Sequence, residues 1–325
     1  MTLVTPGIHH VTGIASDPQQ NLDFYSGVLG MRLVKRTVNF DDPTTYHFYF
    51  ADAEGTPGTV LTFFPWPKSR RGRQGAGQVA VTSFSILPGA IGYWIERFIK
   101  YRVEFEHPKT RFDDERVITF KDPDGFMGEL VAHPGAEARK GGSFVVPPEH
   151  SIRGIYSVTL WQESCDLTGK LLVDDLGFTA VREQASIFRY AAGDRDSGGS
   201  IVDLRCVPGL WAGSMGAGVV HHVAFRAPND EAQLKARNEL VAKGFNVTPQ
   251  IDRDYFHSIY FREPGGVLFE IATDPPGFTV DEPLDKLGQT LKLPAWLEPR
   301  RFEIEALLPN IRQPMDSPRP LSPFG

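Results

Sequence analysis

"GIHHVTGI" (residues 7–14) and "GVVHHVAF" (residues 218–225) write one strand-like pattern with a histidine doublet twice, 211 residues apart. Either the doublets are partly buried polar residues that happen to recur, or two distant segments meet and each supplies a metal ligand. Working outward from the doublets decides between these readings. The strand marker His10-Val11-Thr12 has counterparts in Ala80-Val81-Thr82, Ser157-Val158-Thr159 and His222-Val223-Ala224, spaced by 70, 77 and 65 residues. Repeats at such periods define an architecture before any single element does.

Two further landmarks follow each marker. A helical pattern such as "DPQQNLDFYSGVL" (17–29) opens on a Ser-Asp-Pro start signal. It closes on Gly30, with Gly177 and Gly244 as counterparts and Lys100-Tyr101 in the second copy. Glycine there suits the left-handed cap that ends a helix. Each unit then ends in a turn and a strand: "TPGTVLTFF", "DPDGFMGEL", "DSGGSIVDL" and "EPGGVLFEI". Counting from the turns puts Phe63, Glu129, Asp203 and Glu270 at one equivalent position. Alternating runs such as "TYHFYFAD" and "FHSIYF" supply the strands between. The unit is βαβββ, four times over.

Neighbouring residues on a strand point to opposite faces of the sheet. Alternation groups Val219, His221, Val223 and Phe225 on an apolar face expected to pack on a helix, and sends His222 the other way with His10 and Thr12 as counterparts. In the last strand Val267, Phe269 and Ile271 share the apolar side, so Glu270 opposes them; Tyr260 opposes Ile259 and Phe261 in the same manner. A bulge would reverse such an assignment. If units 1 and 4 pair, one hollow receives His10, His222 and Glu270. Two imidazoles and a carboxylate with other positions open match the facial triad of non-haem iron(II) oxygenases. Pairing 1 with 2 and 3 with 4 leaves each hollow a single marker histidine, a poorer site. The outer pairing leaves units 2 and 3 a hollow with Glu129 and Asp203 and no metal, those two acids being solvated or hydrogen-bonded.

The expected fold is therefore α+β, with four βαβββ repeats forming two pseudo-barrel domains, outer repeats 1 and 4 paired and repeats 2 and 3 paired. Along the chain, 5–140 holds repeats 1 and 2, 150–275 holds repeats 3 and 4, and 276–325 is a C-terminal extension with one short helical segment, ending in a loose tail "PMDSPRPLSPFG".

Composition limits the function classes. With 41% hydrophobic and 23% charged residues over 325 positions, the chain reads as a soluble globular protein. Net charge is −6, and "KSRRGRQ" (68–74), the one dense basic run, has no interleaved aromatics, so it reads as a solvated loop and nucleic acid is not expected. The two cysteines, Cys165 and Cys206, form neither a disulfide framework nor a CxxC metal pair, which fits a reducing compartment. No apolar run reaches membrane-spanning length, and no leader pattern opens the chain. A cytoplasmic protein is expected, with no membrane partner and a homo-oligomer left open.

These residues resemble the vicinal oxygen chelate superfamily of glyoxalases and extradiol dioxygenases. More narrowly, "VKRT", "YHFYFADAEGTPGTVLTFFP", "HHVAF", "PGGVLFEIATDPPGF" and "LPAWLEPRR" resemble its ring-cleaving hydroquinone dioxygenase branch, over residues 5 to 312. The resemblance implies Fe(II) held by His10, His222 and Glu270, in agreement with the face reading. It implies supporting roles for His9, Thr12, His221, Arg253 and Tyr260. Of these Tyr260, like Thr12, already points into the hollow on pattern alone, and Arg253 stands in the loop "DRDYF". The implied reaction inserts O2 into a small aromatic diol, hydroquinone or catechol. A glyoxalase-like metalloenzyme at nickel or zinc is the rival enzyme, separable by metal analysis. A non-catalytic binding protein of the same superfamily is the rival from another class, and such proteins lack the triad.

Overall fold

The computed structural model describes residues 3–312 except 68, 113, 144 and 194–197, so the expected tail from Pro314 lies outside the described residues. Repeat 1 comprises β1 (Ile8–Ala15), α1 (Pro18–Leu22) running on into a π-turn (Asp23–Val28), β2 (Arg32–Asn39), β3 (Asp42–Ala51) and β4 (Val60–Pro65). Repeat 2 comprises β5 (Gln78–Ile86), α2 (Ile91–Tyr101), β6 (Glu104–Phe105), β7 (Lys109–Arg111), β8 (Glu115–Lys121) and β9 (Met127–Ala132). Repeat 3 is β10 (Ile155–Gln162), α3 (Asp166–Asp174), β11 (Thr179–Gln184), β12 (Ile187–Ala191) and β13 (Ile201–Cys206). Repeat 4 is β14 (Val220–Ala227), α4 (Asp230–Ala242), β15 (Ile251–Asp252), β16 (Phe256–Arg262) and β17 (Leu268–Pro276), and α5 (Arg301–Leu307) lies in the extension. Repeat 2 departs from the expected unit by one short strand.

The helix signals act as read. Asp17 caps α1 by accepting from the Gln20 amide at 2.8 Å. Gly30, Gly177 and Gly244 take φ of 74°, 76° and 91°. In repeat 2 the left-handed cap falls on Arg102 (φ 57°), one residue past Tyr101.

Two curled sheets result. One runs β15-β16-β17-β14-β1-β4-β3-β2 and unites repeats 4 and 1; the other runs β11-β12-β13-β10-β5-β9-β8-β6 and unites repeats 3 and 2. Antiparallel β1/β14 and β5/β10 are the seams. The linkers between repeats 1 and 2 and between 3 and 4 run side by side, bridged at Arg71/Ala217, Arg73/Ser214 and Ala76/Ala212. The basic run is thus part of a paired linker, with its arginines solvent-facing. Helices and apolar strand faces share one core: Tyr25 packs on Phe63 with ring centroids 4.5 Å apart, and Arg97 of α2 donates to the Val28 and Gly27 carbonyls after α1.

Ladder register corrects two of the expected equivalences. Ala224 faces Glu270, Thr159 faces Asp203 and Ser83 faces Glu129, whereas Thr12 faces Thr62. The counterpart of Glu270 in repeat 1 is therefore Thr62, and Phe63 points to the helix side. In repeat 2 the counterpart of His222 is Val81 rather than Ala80. The loop before β4 (52–59) is longer than the loop before β17 (263–267), and Ala80 is an extra residue in its seam; counting in sequence registers neither.

The cysteines are also corrected. Cys165 and Cys206 form a disulfide across 41 residues, with Cα atoms 5.8 Å apart. Parallel pairing of β10 with β13 sets Gln162 opposite Cys206, and Cys165 follows three residues later at the start of α3. No helix among the described residues is long and apolar enough to cross a membrane.

Candidate metal centre and substrate cavity

Where each doublet sits in the seam explains its form. Ile8 pairs with Phe225 and His10 with Ala224, so His9 is an extra residue on β1; Thr12 pairs with His222 and Gly13 with Val220, so His221 is an extra residue on β14. Both are β-bulges, which re-aim side chains beside functional sites. The other seam carries the same irregularity at Ala80 and Tyr156. The bulges overturn the alternation reading for the doublets. His221 does not join the helix-facing set; it lines the cavity with His222. His9 is buried against His10 and Phe256, with ring centroids 5.1 Å from each.

His10, His222 and Glu270 converge as expected. His10 Nε2 lies 3.4 Å from His222 Nε2 and 3.4 Å from Glu270 Oε2, and His222 Nε2 lies 2.9 Å from that oxygen. Donors sharing one ion at bond lengths of about 2.1 Å stand roughly 3.0–3.4 Å apart for angles between octahedral and tetrahedral. All three residues are buried, and they form the one such cluster of His, Cys, Asp and Glu among the described residues. Glu270 Oε1 accepts from Ser258 Oγ at 2.5 Å, while Oε2, aimed between the imidazoles, has no partner with hydrogen-bond geometry. An orphaned buried carboxylate oxygen between two ring nitrogens fits a cation.

Protonation states suit this fit. Burial lowers the His222 ring below its ordinary range, and although burial pushes Glu270 the other way, His10 and His222 hold its carboxyl well below the usual carboxylate range. Neutral imidazole and ionised carboxylate are the states a metal requires. Each ligand ring turns its other nitrogen to its neighbour: His10 Nδ1 is 2.9 Å from His9 Nδ1, and His222 Nδ1 is 2.7 Å from His221 Nδ1. With Nε2 free for the ion, the ligand's Nδ1–H donates and the neighbour accepts, which requires the neighbour neutral. Burial first, then the adjacent ring, pushes His9 well down and His221 down to about 3. Such outer partners fix ligand tautomer and orientation.

The cavity above the cluster holds about 340 Å³ and is walled by Phe40, Phe64, Trp66, Phe256 and Tyr49. That volume and aromatic lining suit one substituted ring. Tyr260 and Arg253 face into it; Arg253 Nε lies 3.3 Å from the Tyr260 hydroxyl, and its Nη1 donates to Asp41 at 3.0 Å. Burial and then Glu270 raise the Tyr260 hydroxyl, which stays protonated; although burial opposes it, Tyr260 and Asp41 keep Arg253 charged. Thr12 is fully buried and accepts from Thr62 Oγ1 at 2.9 Å. The extension reaches the rim, where Trp296 packs edge-on to Phe40 at 5.6 Å.

Sequence reasoning overlooked Asn39, Asp41, His47, Tyr49, Phe64 and Trp66. His47 and Tyr49 stand in the quoted run "TYHFYFAD" at alternate positions, and that alternation was the available signal. In the other sheet, guanidinium groups occupy the hollow. Arg189, opposite Asp203 as Tyr260 is opposite Glu270, pairs with Asp203 at 2.7 Å and with Glu115, while Arg111 pairs with Glu129 at 2.9 Å. Glu129 and Asp203 are hydrogen-bonded, as expected of them.

Comparison with known proteins agrees with this architecture. The profile of the Glyoxalase/Bleomycin resistance protein/Dioxygenase superfamily matches residues 7–130 and 168–271. The chain is 46% identical over 313 residues to "Putative ring-cleaving dioxygenase MhqO" of Bacillus subtilis, covering 95% of this chain and 98% of that protein. It is 31% identical to chlorohydroquinone/hydroquinone 1,2-dioxygenase of Sphingobium indicum, covering 92% and 94%. A crystal structure titled putative dioxygenase, from Bacillus subtilis, superposes with a TM-score of 0.89 at 43% identity, covering 96% and 99%. This chain belongs to the Glyoxalase/Bleomycin resistance protein/Dioxygenase superfamily, and within it to the ring-cleaving dioxygenases.

Proposed function

We propose that this protein is an Fe(II)-dependent, extradiol-type dioxygenase that opens the ring of a hydroquinone- or catechol-type diol beside a hydroxyl-bearing carbon. The observation that carries the reading is the meeting of His10, His222 and Glu270 beneath an aromatic-walled cavity, with the Glu270 Oε2 oxygen left unpartnered. The hydroquinone dioxygenase named among the relatives supports the para-diol.

His10, His222 and Glu270 would hold the ion. Bound there, iron(II) supplies a Lewis acid that lowers the diol's hydroxyl pKa and a redox centre open to dioxygen. The remaining work falls to the side chains. Phe64, Trp66 and Phe256 exclude water and hold the ring. Arg253, a fixed cation, stabilises negative charge that develops on oxygen. Tyr260, a protonated phenol, donates a proton and can take it back. His9 and His221 orient the two ligand rings, and Thr12 offers a hydroxyl beside His222.

Residues 5–140 and 150–275 then act as covalent halves that exchange partners, repeats 1 and 4 building the site and repeats 2 and 3 the frame. The reading takes a small aromatic diol and O2 as partners of a monomer or homo-oligomer; the Cys165–Cys206 disulfide removes the reducing-compartment argument for a cytoplasmic location. The test is anaerobic loading with Fe(II), then oxygen uptake against hydroquinones and catechols. Uptake with one O2 per ring opened supports the reading. Absence of uptake with iron, together with isomerase activity on nickel or zinc, would move the protein to glyoxalase-like chemistry.

A further inference from the structure

The eight-stranded sheet begins at β15 and ends at β2, so its edge hairpins are β15–β16 of repeat 4 and β2–β3 of repeat 1. Their tips, Arg253-Asp254-Tyr255 and Phe40-Asp41, come from opposite ends of the sheet and meet. Arg253 Nη1 donates to Asp41 Oδ2 at 3.0 Å, and both residues line the cavity. The residue before each tip shapes it in the same way. Asn39 Oδ1 accepts from the Asp41 amide at 3.0 Å, and Asp252 Oδ1 from the Asp254 amide at 2.7 Å. Such side-chain turns set the backbone of a hairpin tip. Phe40, beside Asp41, lines the cavity and packs edge-on against Trp296 of the extension.

As a source of stability this ion pair is weak. The Asp41 side chain is 75% exposed and that of Arg253 18%, and half-solvated pairs contribute little to folding. Its consequence lies in where it leaves the guanidinium. Arg253 Nε donates to the Tyr260 hydroxyl oxygen at 3.3 Å, and its guanidinium carbon stands 5.5 Å from the centre of that ring. The Arg253 amide donates to the Phe256 carbonyl at 3.0 Å and its carbonyl accepts from the Tyr255 amide at 2.8 Å, which fixes the root of the side chain. Bonds on two separate nitrogens then hold a planar group in one orientation. Because Nε–H donates to it, the Tyr260 oxygen keeps its own hydrogen to donate. Loss of Asp41 removes the Nη1 bond and returns rotamer freedom to a long side chain.

We propose that Asp41 is a positioning residue of the reaction, holding Arg253 against Tyr260 where negative charge develops on oxygen; the inference rests on the dioxygenase reading. Asp41 acts through Arg253. The two edges of the sheet are thereby joined over the cavity by the group that aims its cation. Repeat 1 supplies the anchor and repeat 4 the guanidinium.

The test is a double-mutant cycle on the iron-loaded full chain, read by oxygen uptake. Asp41→Ala is expected to lower kcat roughly 10-fold with KM within about twofold of the parent, and Arg253→Ala to lower it roughly 100-fold. The double variant is expected to be no slower than Arg253→Ala, since Asp41 has nothing left to hold. Asp41→Asn keeps an acceptor oxygen and is expected to recover most of the loss seen in Asp41→Ala. An exposed carboxylate can be removed without unfolding the chain. Parent-like kcat in Asp41→Ala, a double variant slower by the product of the two losses, or Asp41→Asn as slow as Asp41→Ala overturns the proposal. A second arm needs no turnover: iron-free, arginine-labelled protein is followed by nitrogen-15 NMR at neutral pH, with the Arg253 Nε–H identified by its loss in Arg253→Lys. Slow exchange of that N–H in the parent and fast exchange in Asp41→Ala is the expected result. Free exchange in the parent, or exchange indifferent to Asp41→Ala, overturns the positioning even if no diol is consumed. Missing oxygen uptake in the parent instead overturns the dioxygenase reading, and the NMR arm still decides whether Asp41 holds Arg253.

Discussion

His9 Nδ1 and His221 Nδ1 stand against His10 Nδ1 and His222 Nδ1, so on the proposed reading each would act on a bound ion at one remove, as acceptor to a ligand ring. Replacing either with Phe keeps an aromatic ring and removes the acceptor. The expected result is roughly 10–100-fold weaker iron(II) affinity in an anaerobic titration. Unchanged affinity would mean that the bulges serve backbone shape only. Tyr260→Phe is expected to lower kcat about 100-fold at nearly constant KM, measured by oxygen uptake. Equal activity would remove Tyr260 from the chemistry. At this scale the triad was legible because the marker position repeats and Glu270 opposes an apolar strand face. The doublets were not fully legible, since an added residue in a bulge leaves no mark in the alternation of "GIHHVTGI". His47 stayed hidden because a lone histidine among aromatics reads as packing.

Strands and helices were legible where glycine and aspartate mark their ends, as at Asp17 and Gly30. Register was less so. Thr62 takes the place expected of Phe63, because the loop before β4 differs in length from the loop before β17. The extension shows a further element that sequence alone did not explain. Lys35 on β2 is fully buried beneath it, paired with Asp281 and with Glu282 at 2.6 Å, and lies 4.9 Å from the Tyr255 ring centroid. Removing one partner of a buried charge group leaves the others uncompensated. Lys35→Met is therefore expected to cost about 3 kcal/mol in urea unfolding and to expose the extension to proteolysis. Parent-like stability would show the extension held by its apolar contacts alone.

The whole molecule sets its His10, His222 and Glu270 cluster in the sheet formed by the first and last repeats and fills the other hollow with Arg189 and Arg111. This outer pairing was legible in sequence because only it completes a ligand set. The disulfide was not, since Cys165 meets Cys206 through strand pairing rather than spacing. Global stability should depend on pH through rings buried in the neutral form. His133, held by Ser85 Oγ at 2.8 Å, is pushed down to about 4 by burial and then Arg139, and His47 is lowered too. In the unfolded chain such rings bind a proton near pH 6.5, so between there and about 4 the unfolded state holds protons the folded state refuses. Stability is then expected to be full above that window and to fall as pH drops through it, by up to about 1.4 kcal/mol per pH unit for each such ring. Urea midpoints independent of pH across this range would contradict that assignment.

The most direct test of the shared metal centre is the iron content of the anaerobically loaded chain, measured after gel filtration for the parent, His10→Ala and His222→Ala. One iron per parent chain, and loss of iron and oxygen uptake in each variant, is the predicted result. Either variant keeping its iron and its turnover would contradict the meeting of the first and last repeats on one ion.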